Sequence, residues 1–262
     1  MNFEDIKLLK LSDGVVSLAL NRPGKRNALS ENMIKELVTA INIIDKDKEC
    51  RLIKLEGEGE VFCAGGDLEW MKEQANSTRE KRINEARKLA KMFRILNSVF
   101  KPILGVIRGD AYGGGIGLIS ICDYSISSSA AKFGLTESRL GLIPATISPY
   151  VISRIGESNC RDIFLSGEIF NAEKANKIGL VNEVVKPSDL EKSVDSYISF
   201  FKKTSRQAVS SSKALIQTLR PKVSDKLIDE TARRLADTWE SNDAQKGIKG
   251  FLDKSKVIWK TI

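Results

Sequence analysis

The chain has 262 residues, 42% of them hydrophobic, which suffices for one large domain or one domain with an appendage. No apolar run approaches the ~18 residues of a membrane span, and Met1-Asn2-Phe3-Glu4-Asp5 has no signal-peptide pattern, so a cytoplasmic protein is expected. The absence of histidine excludes Ser-His-Asp and Cys-His catalysis and every His-ligated metal site, leaving carboxylates, hydroxyls, lysines and backbone N–H groups for acid-base work.

Cysteines 50, 63, 122 and 160 lack metal-ligand spacing, so reduced structural thiols and no metal are expected. Of the net charge of +8, residues 201–262 carry +7. A basic segment of this kind is either a set of solvated helix faces or a surface for a phosphate-bearing or acidic partner.

In chain order, Ile6–Leu11 and Val15–Leu20 around Ser12-Asp13-Gly14 predict a hairpin. A loop from Asn21 to Leu29 follows, and Ser30 caps a helix whose positions 33, 34, 37, 38, 41 and 44 share one apolar face. Arg51–Leu55 predicts a strand leading to a glycine loop, Val61-Phe62-Cys63-Ala64-Gly65-Gly66-Asp67-Leu68, in which Asp67 is placed to cap or begin a helix. A helix from about 79 to 100 is stopped by Pro102, and the apolar run Ile103–Ile107 predicts a buried strand.

The stretch from Gly109 to Pro144 is the densest in chemistry. Gly113-Gly114-Gly115 lies where a strand ends and a helix near Ile116–Cys122 begins, so backbone N–H groups there are unpaired and the main chain can approach a ligand closely. Glycines at such a turn are also ordinary turn chemistry. The dinucleotide fingerprint fails because Ser120 stands three residues after Gly117, and no phosphate-loop Gly-Lys-Ser/Thr exists. Strand, glycine loop and helix recur at 51–72 and 102–122, with a looser third copy from Tyr124 to Glu137, and adjacent copies in one sheet system would put their loops side by side.

Beyond Pro144 the pattern is helical: 147–155, 159–165 and 172–178, each closed by a glycine. A short strand follows at 180–185, then a capping box at Ser188-Asp189-Leu190-Glu191 and a helix to about 201. Helices at roughly 205–219, 224–240 and 242–256 complete the chain.

Two neighbouring glycine loops can each offer one N–H to a single oxygen, and a carboxylate beside them could move protons, a pairing suited to chemistry through an enolate. From about residue 5 to 256 the chain resembles the crotonase (enoyl-CoA hydratase/isomerase) superfamily. The resemblance is carried by Asn21-Arg22-Pro23, Asn27-Ala28-Leu29, Phe62 to Leu68, Gly109 with Gly113 to Gly115, Cys122-Asp123, Phe133-Gly134 with Glu137, Gly141-Leu142-Ile143-Pro144, and Gly179-Leu180-Val181. It implies an α/β spiral of ββα units over residues 1–200 and a C-terminal helical trimerisation region over 201–262, assembled as a homotrimer or a dimer of trimers.

Position by position, the resemblance implies that the N–H groups of Gly66 and Gly114 hold the thioester oxygen and that Glu137 is the acid-base group. Lys25, Ala28, Ala64, Gly65, Asp67 and Leu68 are implied around coenzyme A, with Phe251 and Lys254 of the last helix reaching the coenzyme A of the same or a neighbouring subunit. Coenzyme A belongs to the substrate, and no separate cofactor is implied.

Hydratases of the best-known type carry a second glutamate where this chain has Gly117. The run from Phe133 to Val151 resembles a branch with methylglutaconyl-CoA and carboxygeranoyl-CoA hydratases, which implies hydration of a branched, carboxylated 2-enoyl-CoA such as 3-methylglutaconyl-CoA. A glutamate at 117 would then point into the reacting end of the pocket and repel the acyl carboxylate. The alternative is a 3,2-enoyl-CoA isomerase working with Glu137 alone. RNA binding is a reading of another class, but no stacking module or recognition motif accompanies the basic tail, so nucleic acid is not expected as a partner.

Overall fold

The computed structural model describes residues 2–259. Ten strands occur among them: β1 (Ile6–Lys10), β2 (Val15–Leu20), β3 (Leu52–Gly57), β4 (Val61–Cys63), β5 (Ile103–Ile107), β6 (Asp110–Tyr112), β7 (Tyr124–Ser128), β8 (Lys132–Gly134), β9 (Ile169–Asn171) and β10 (Glu183–Val185). A large sheet runs β1-β2-β3-β5-β7-β10 and a small one β4-β6-β8-β9. Only the β1–β2 hairpin and the β8–β9 pair are antiparallel.

The recurring unit is therefore one strand in the large sheet, a short strand in the small sheet, and a helix. Three successive copies, beginning at β3, β5 and β7, stack into the expected spiral. The helices that complete them are α2 (Leu68–Ala75) with α3 (Arg79–Ser98), α4 (Gly114–Ser120), and α5 (Ser148–Ser166); α1 (Glu31–Lys46) precedes the first copy, capped by Ser30, whose side chain accepts from the Met33 N–H.

Both faces of the large sheet are buried, as parallel strands require. Ile53, Leu55, Ile103 and Ile107 join the main core with α1, α3, α4 and α5. Leu52, Leu104, Val106 and Ile126 pack on the other face against Leu190 and Val194 of a helix at Leu190–Phe201. After α6 (Ala172–Lys177) that helix is α7, followed by α8 (Arg206–Leu219), α9 (Asp225–Trp239) and α10 (Asn242–Leu252).

The sequence reading holds for some of these elements and fails at two. The helices expected at 147–155 and 159–165 meet within α5, where Gly156, at φ +76° and ψ 161°, ends the first as expected. The capping box at 188–191 does not form: Pro187 starts a 3-10 turn that feeds directly into α7, and Asp189 makes no capping side-chain bond. The last helix stops at Leu252, so Lys254, at φ +53°, lies beyond it.

Of the segment 201–262, residues 260–262 lie outside the described residues, and its helices α9 and α10 pack on this chain's own body. Ala232 and Ala236 meet Ile83 and Ala86 of α3, and Arg79–Asp237 (2.6 Å), Arg87–Asp229 (2.7 Å) and Arg94–Asp225 (2.7 Å) lace the two helices together. On α10, Gly247 lies so close to the Leu140 backbone that a β-carbon would stand 2.5 Å from its carbonyl. The small residues there are what let the helix seat. On α8, buried Lys213 donates to Asp123 Oδ2 (2.6 Å) and to the Lys101 carbonyl (2.8 Å), pinning that helix to the start of β5.

Candidate active site

The small sheet assembles the site. β4, β6 and β8 are parallel neighbours, so the segments leaving their C-terminal ends emerge side by side, about 5 Å from one strand to the next. Those segments carry Gly66 after β4, Gly114 after β6 and Glu137 after β8. All three line one cavity of about 170 Å3.

The loop from Asn21 to Leu29 holds the first of these segments in place. The Ala64 N–H donates to the Arg26 carbonyl (3.0 Å), Leu29 N–H to the Gly65 carbonyl (2.8 Å) and Asp67 N–H to the Leu29 carbonyl (3.2 Å). Buried Asn27 ties the loop further, its amide donating to the Glu58 and Val61 carbonyls at 2.8 and 2.7 Å. Between these bonded neighbours the Gly66 N–H has no hydrogen-bond acceptor among the described residues, and neither has the Gly114 N–H at the first turn of α4. Glycine is needed where the loops meet: β-carbons at Gly65 and Gly114 would stand 3.1 Å from the Tyr112 carbonyl and 2.6 Å from Leu29 Cδ1.

Glu137 opens the 3-10 turn Glu137–Leu140 and is partly exposed as a residue, toward the cavity it lines. Its Oε2 is nevertheless sealed from solvent and has no hydrogen-bond partner. Burial pushes its carboxyl up to about 7, only its own backbone N–H acting the other way. A carboxyl balanced near neutrality both takes and returns a proton readily. Tyr112, also in the lining, is no competitor: burial and then the hydrogen bond to Asp110 Oδ2 (3.0 Å) raise it to about 12.

Apart from Thr136 and Thr146 the remainder of the lining is apolar, including Trp70, Met71, Leu89, Leu142, Leu235 and Trp239. Among the described residues, no Lys or Arg lines it and Glu137 is its one carboxylate. The expected carboxylated acyl tail thus finds no cation here.

The other expected residues fall in two groups. Ala64, Gly65 and Phe251 line the cavity. Lys25, Ala28, Asp67, Leu68, Gly117 and Lys254 do not. Lys25 pairs with Glu69 (2.9 Å) on the surface and Leu68 is exposed. The Ala28 carbonyl accepts from Arg22 Nη1 (2.8 Å). Asp67 caps α2, its Oδ1 accepting from the Glu69 and Trp70 N–H groups (2.8 and 3.2 Å), while Oδ2 pairs with Arg22 (2.9 Å). Burial, the largest influence, works against the Asp67 carboxylate, but Arg22 and the two amides outweigh it and hold its pKa below the usual value.

Gly117 corrects the sequence reading. A β-carbon there would meet Ile147 Cγ2 at 2.5 Å and the Phe93 ring at 2.9 Å, so the position faces packed core instead of opening as a pocket for a second carboxylate. Sequence reasoning missed Trp70, Leu89, Leu235 and Trp239, which come from helices α2, α3 and α9 and differ from other core positions in no local way.

Two unpaired N–H groups and a single desolvated carboxyl, on residues that line one cavity, form a site that can hold negative charge on an oxygen and move one proton at an adjacent carbon, which is the equipment of an enolate-forming enzyme. The comparisons agree: the model of the family described as enoyl-CoA hydratase/isomerase matches residues 10–261, and the chain belongs to that family. Crotonyl-CoA hydratase of Syntrophomonas wolfei is 29% identical over 263 residues, 98% of this chain and 98% of that protein. Short-chain-enoyl-CoA hydratase of Clostridium acetobutylicum is 30% identical over 256 residues, 95% of each. The crystal structure of an enoyl-CoA hydratase from Shewanella pealeana superposes with a TM-score of 0.80 at 31% identity, covering 98% of this chain and 96% of that one.

Proposed function

We propose that this protein is an enoyl-CoA hydratase, a hydro-lyase that adds water across the 2,3 double bond of a 2-enoyl-CoA thioester. The observation that carries the reading is Glu137 Oε2, unpartnered and desolvated, in the same cavity as the free N–H groups of Gly66 and Gly114. The Glu137 carboxylate takes a proton from water as its oxygen bonds to C3. The electron pair of the double bond moves toward the thioester, whose oxygen, as an enolate, accepts hydrogen bonds from Gly66 and Gly114. Glu137 then returns its proton to C2, so that one carboxyl serves both half-steps and H and OH are both accounted for. Each donor of such a hole typically contributes about 2.7–4 kcal/mol.

Loss of the enoyl-thioester absorbance of crotonyl-CoA on incubation with the protein tests this. No change with any 2-enoyl-CoA defeats it. One observation favours a second reading, 3,2-enoyl-CoA isomerisation: with Gly117 facing core, a single carboxyl lines the cavity, and a single carboxyl suffices to carry a proton between C4 and C2. Conversion of a 3-enoyl-CoA faster than hydration of crotonyl-CoA would favour it. For the acyl group, a lining with no cation and with Glu137 as its one carboxylate supports an apolar chain better than 3-methylglutaconyl.

Assembly as a homotrimer or dimer of trimers is part of the same reading. It is supported by exposed Phe200 of α7 and by exposed Leu215, Ile216 and Leu219, apolar residues close together along α8. Sedimentation of the purified protein as a monomer would remove it. Lys25, at the outer end of the Asn21–Leu29 loop, is proposed to meet the coenzyme A phosphates by exchanging its pairing with Glu69.

A further inference from the structure

We infer that Trp239 is the wall that limits the length of the acyl chain, and that the site takes uncharged acyl groups of about six carbons. This rests on the acyl-CoA reading above.

The size comes first. An apolar cavity of about 150 Å3 lined by Leu, Ile and Phe holds one benzene. The cavity here, about 170 Å3 and lined mainly by Leu, Ile, Met and Trp beyond the glycines, accommodates on that scale on the order of six carbons, counted from the thioester carbonyl.

The wall is Trp239. It lines this cavity and also a second one, of about 300 Å3, between α2 and α10, and it is the one residue common to the two. Ala75, Ile248 and Leu252 give the second cavity its apolar surface, and Lys72, Asn76, Gln245, Lys249 and Asp253 its polar rim. The indole is buried and packs with Met71, Leu142 and Ile248. Arg82 holds it in place: its guanidinium stands 5.9 Å from the ring centroid and is itself fixed by bonds to the Gln74 and Ala75 carbonyls at 2.8 and 3.0 Å. A chain longer than the first cavity therefore meets a clamped ring, with unused space on its far side.

Charge completes the specificity. The lining offers no cation, and the one ionisable carboxyl is Glu137, so a carboxylated tail gains no partner and meets a like charge.

The test uses the full-length protein with crotonyl-, 2-hexenoyl-, 2-decenoyl- and 3-methylglutaconyl-CoA. Saturated hexanoyl-, decanoyl- and 3-methylglutaryl-CoA are titrated calorimetrically in parallel. Wild type is expected to prefer 2-hexenoyl-CoA: each methylene buried is worth about a four-fold gain, so hexenoyl should exceed crotonyl by about fifteen-fold in kcat/KM. Decenoyl and 3-methylglutaconyl should fall at least ten-fold below hexenoyl. Trp239→Leu and Trp239→Ala should raise the decenoyl-to-hexenoyl ratio by ten-fold or more, and Trp239→Phe, which keeps the core filled if the smaller variants do not fold, by a few-fold in the same direction.

Equal use of decenoyl and hexenoyl by wild type, or an unchanged ratio in a folded Trp239 variant, overturns the inference, as does a preference for 3-methylglutaconyl. If no thioester is hydrated but saturated acyl-CoAs bind with this length limit and lose it in the variants, the hydratase reading fails and the wall stands. If no acyl-CoA binds, both fail.

Discussion

A β-carbon on Gly113 would lie 3.1 Å from Glu137 Oε1, and Gly113 itself is held at φ +48°. The first residue of the glycine loop is thus shaped against the carboxyl of the neighbouring unit as well as by its own backbone. Gly113→Ala should cost about 1–3 kcal/mol of stability from its positive-φ backbone (φ +48°, ψ −114°) alone. It should also lower kcat more than it raises KM, because the nearest atom the methyl meets is the Glu137 carboxyl oxygen. A thermal melt and steady-state kinetics check both; an alanine variant with wild-type kcat would show that the contact is relieved without consequence.

Replacing Glu137 by Gln removes the one proton carrier in the lining while keeping its shape. Turnover is expected to fall by roughly 10²–10⁴-fold. Binding of a saturated acyl-CoA, measured calorimetrically, should change little.

The raised Glu137 carboxyl also makes two pH predictions. Because the carboxylate form starts the reaction, kcat/KM should climb with pH along a limb centred at about 7. Stability runs the other way. An unfolded glutamate ionises near 4.3, whereas the folded one holds its proton up to about 7. Stability contributed by this group is therefore full at low pH, declines as pH rises between those values, and is level above. The Gln variant escapes that decline. Its unfolding free energy should match wild type near pH 4, exceed it by about 1 kcal/mol at pH 5 and by up to about 3.5 kcal/mol at pH 8, read from urea melts across that range.

Gly117→Glu restores a second acid to the sequence but not to the cavity. The side chain has to displace Ile147 or the fully buried Phe93, which should cost about 1–3 kcal/mol before any charge is counted. Hydration of crotonyl-CoA and of 3-methylglutaconyl-CoA should fall together. Selective loss of the carboxylated substrate, with an unchanged melting temperature, would show that the side chain reaches the reacting end after all.

Strands and glycine loops were legible because each is a local pattern: Ile103–Ile107 is an apolar run bounded by Pro102 and Gly109, and Ser30 and Asp67 cap the helices they precede. Glu137 was legible through its resemblance to a known motif and through the absence of histidine. What was not legible depends on how distant elements dock. The side of α4 that Gly117 presents is set by Phe93 and Ile147, and the placement of Trp239 is set by contacts of α9 with α3, more than a hundred residues away. The capping box at Ser188 failed for a local reason, since Pro187 already directs the chain into a 3-10 turn.

The position of α9 and α10 bears on when the protein becomes competent during its synthesis. Leu235, Trp239 and Phe251 close a cavity whose donors and carboxyl all lie before residue 140. A ribosome that has released everything through α8 has thus made Gly66, Gly114 and Glu137, the groups proposed for the reaction, without the residues that close the cavity around them. The final helices dock on α3 and on the turn that carries Glu137, so the cavity is complete only once nearly the whole chain has emerged. Until then the apolar surface of α2 and α3 is bare, which makes the last stage of translation the interval in which this chain most needs protection from aggregation.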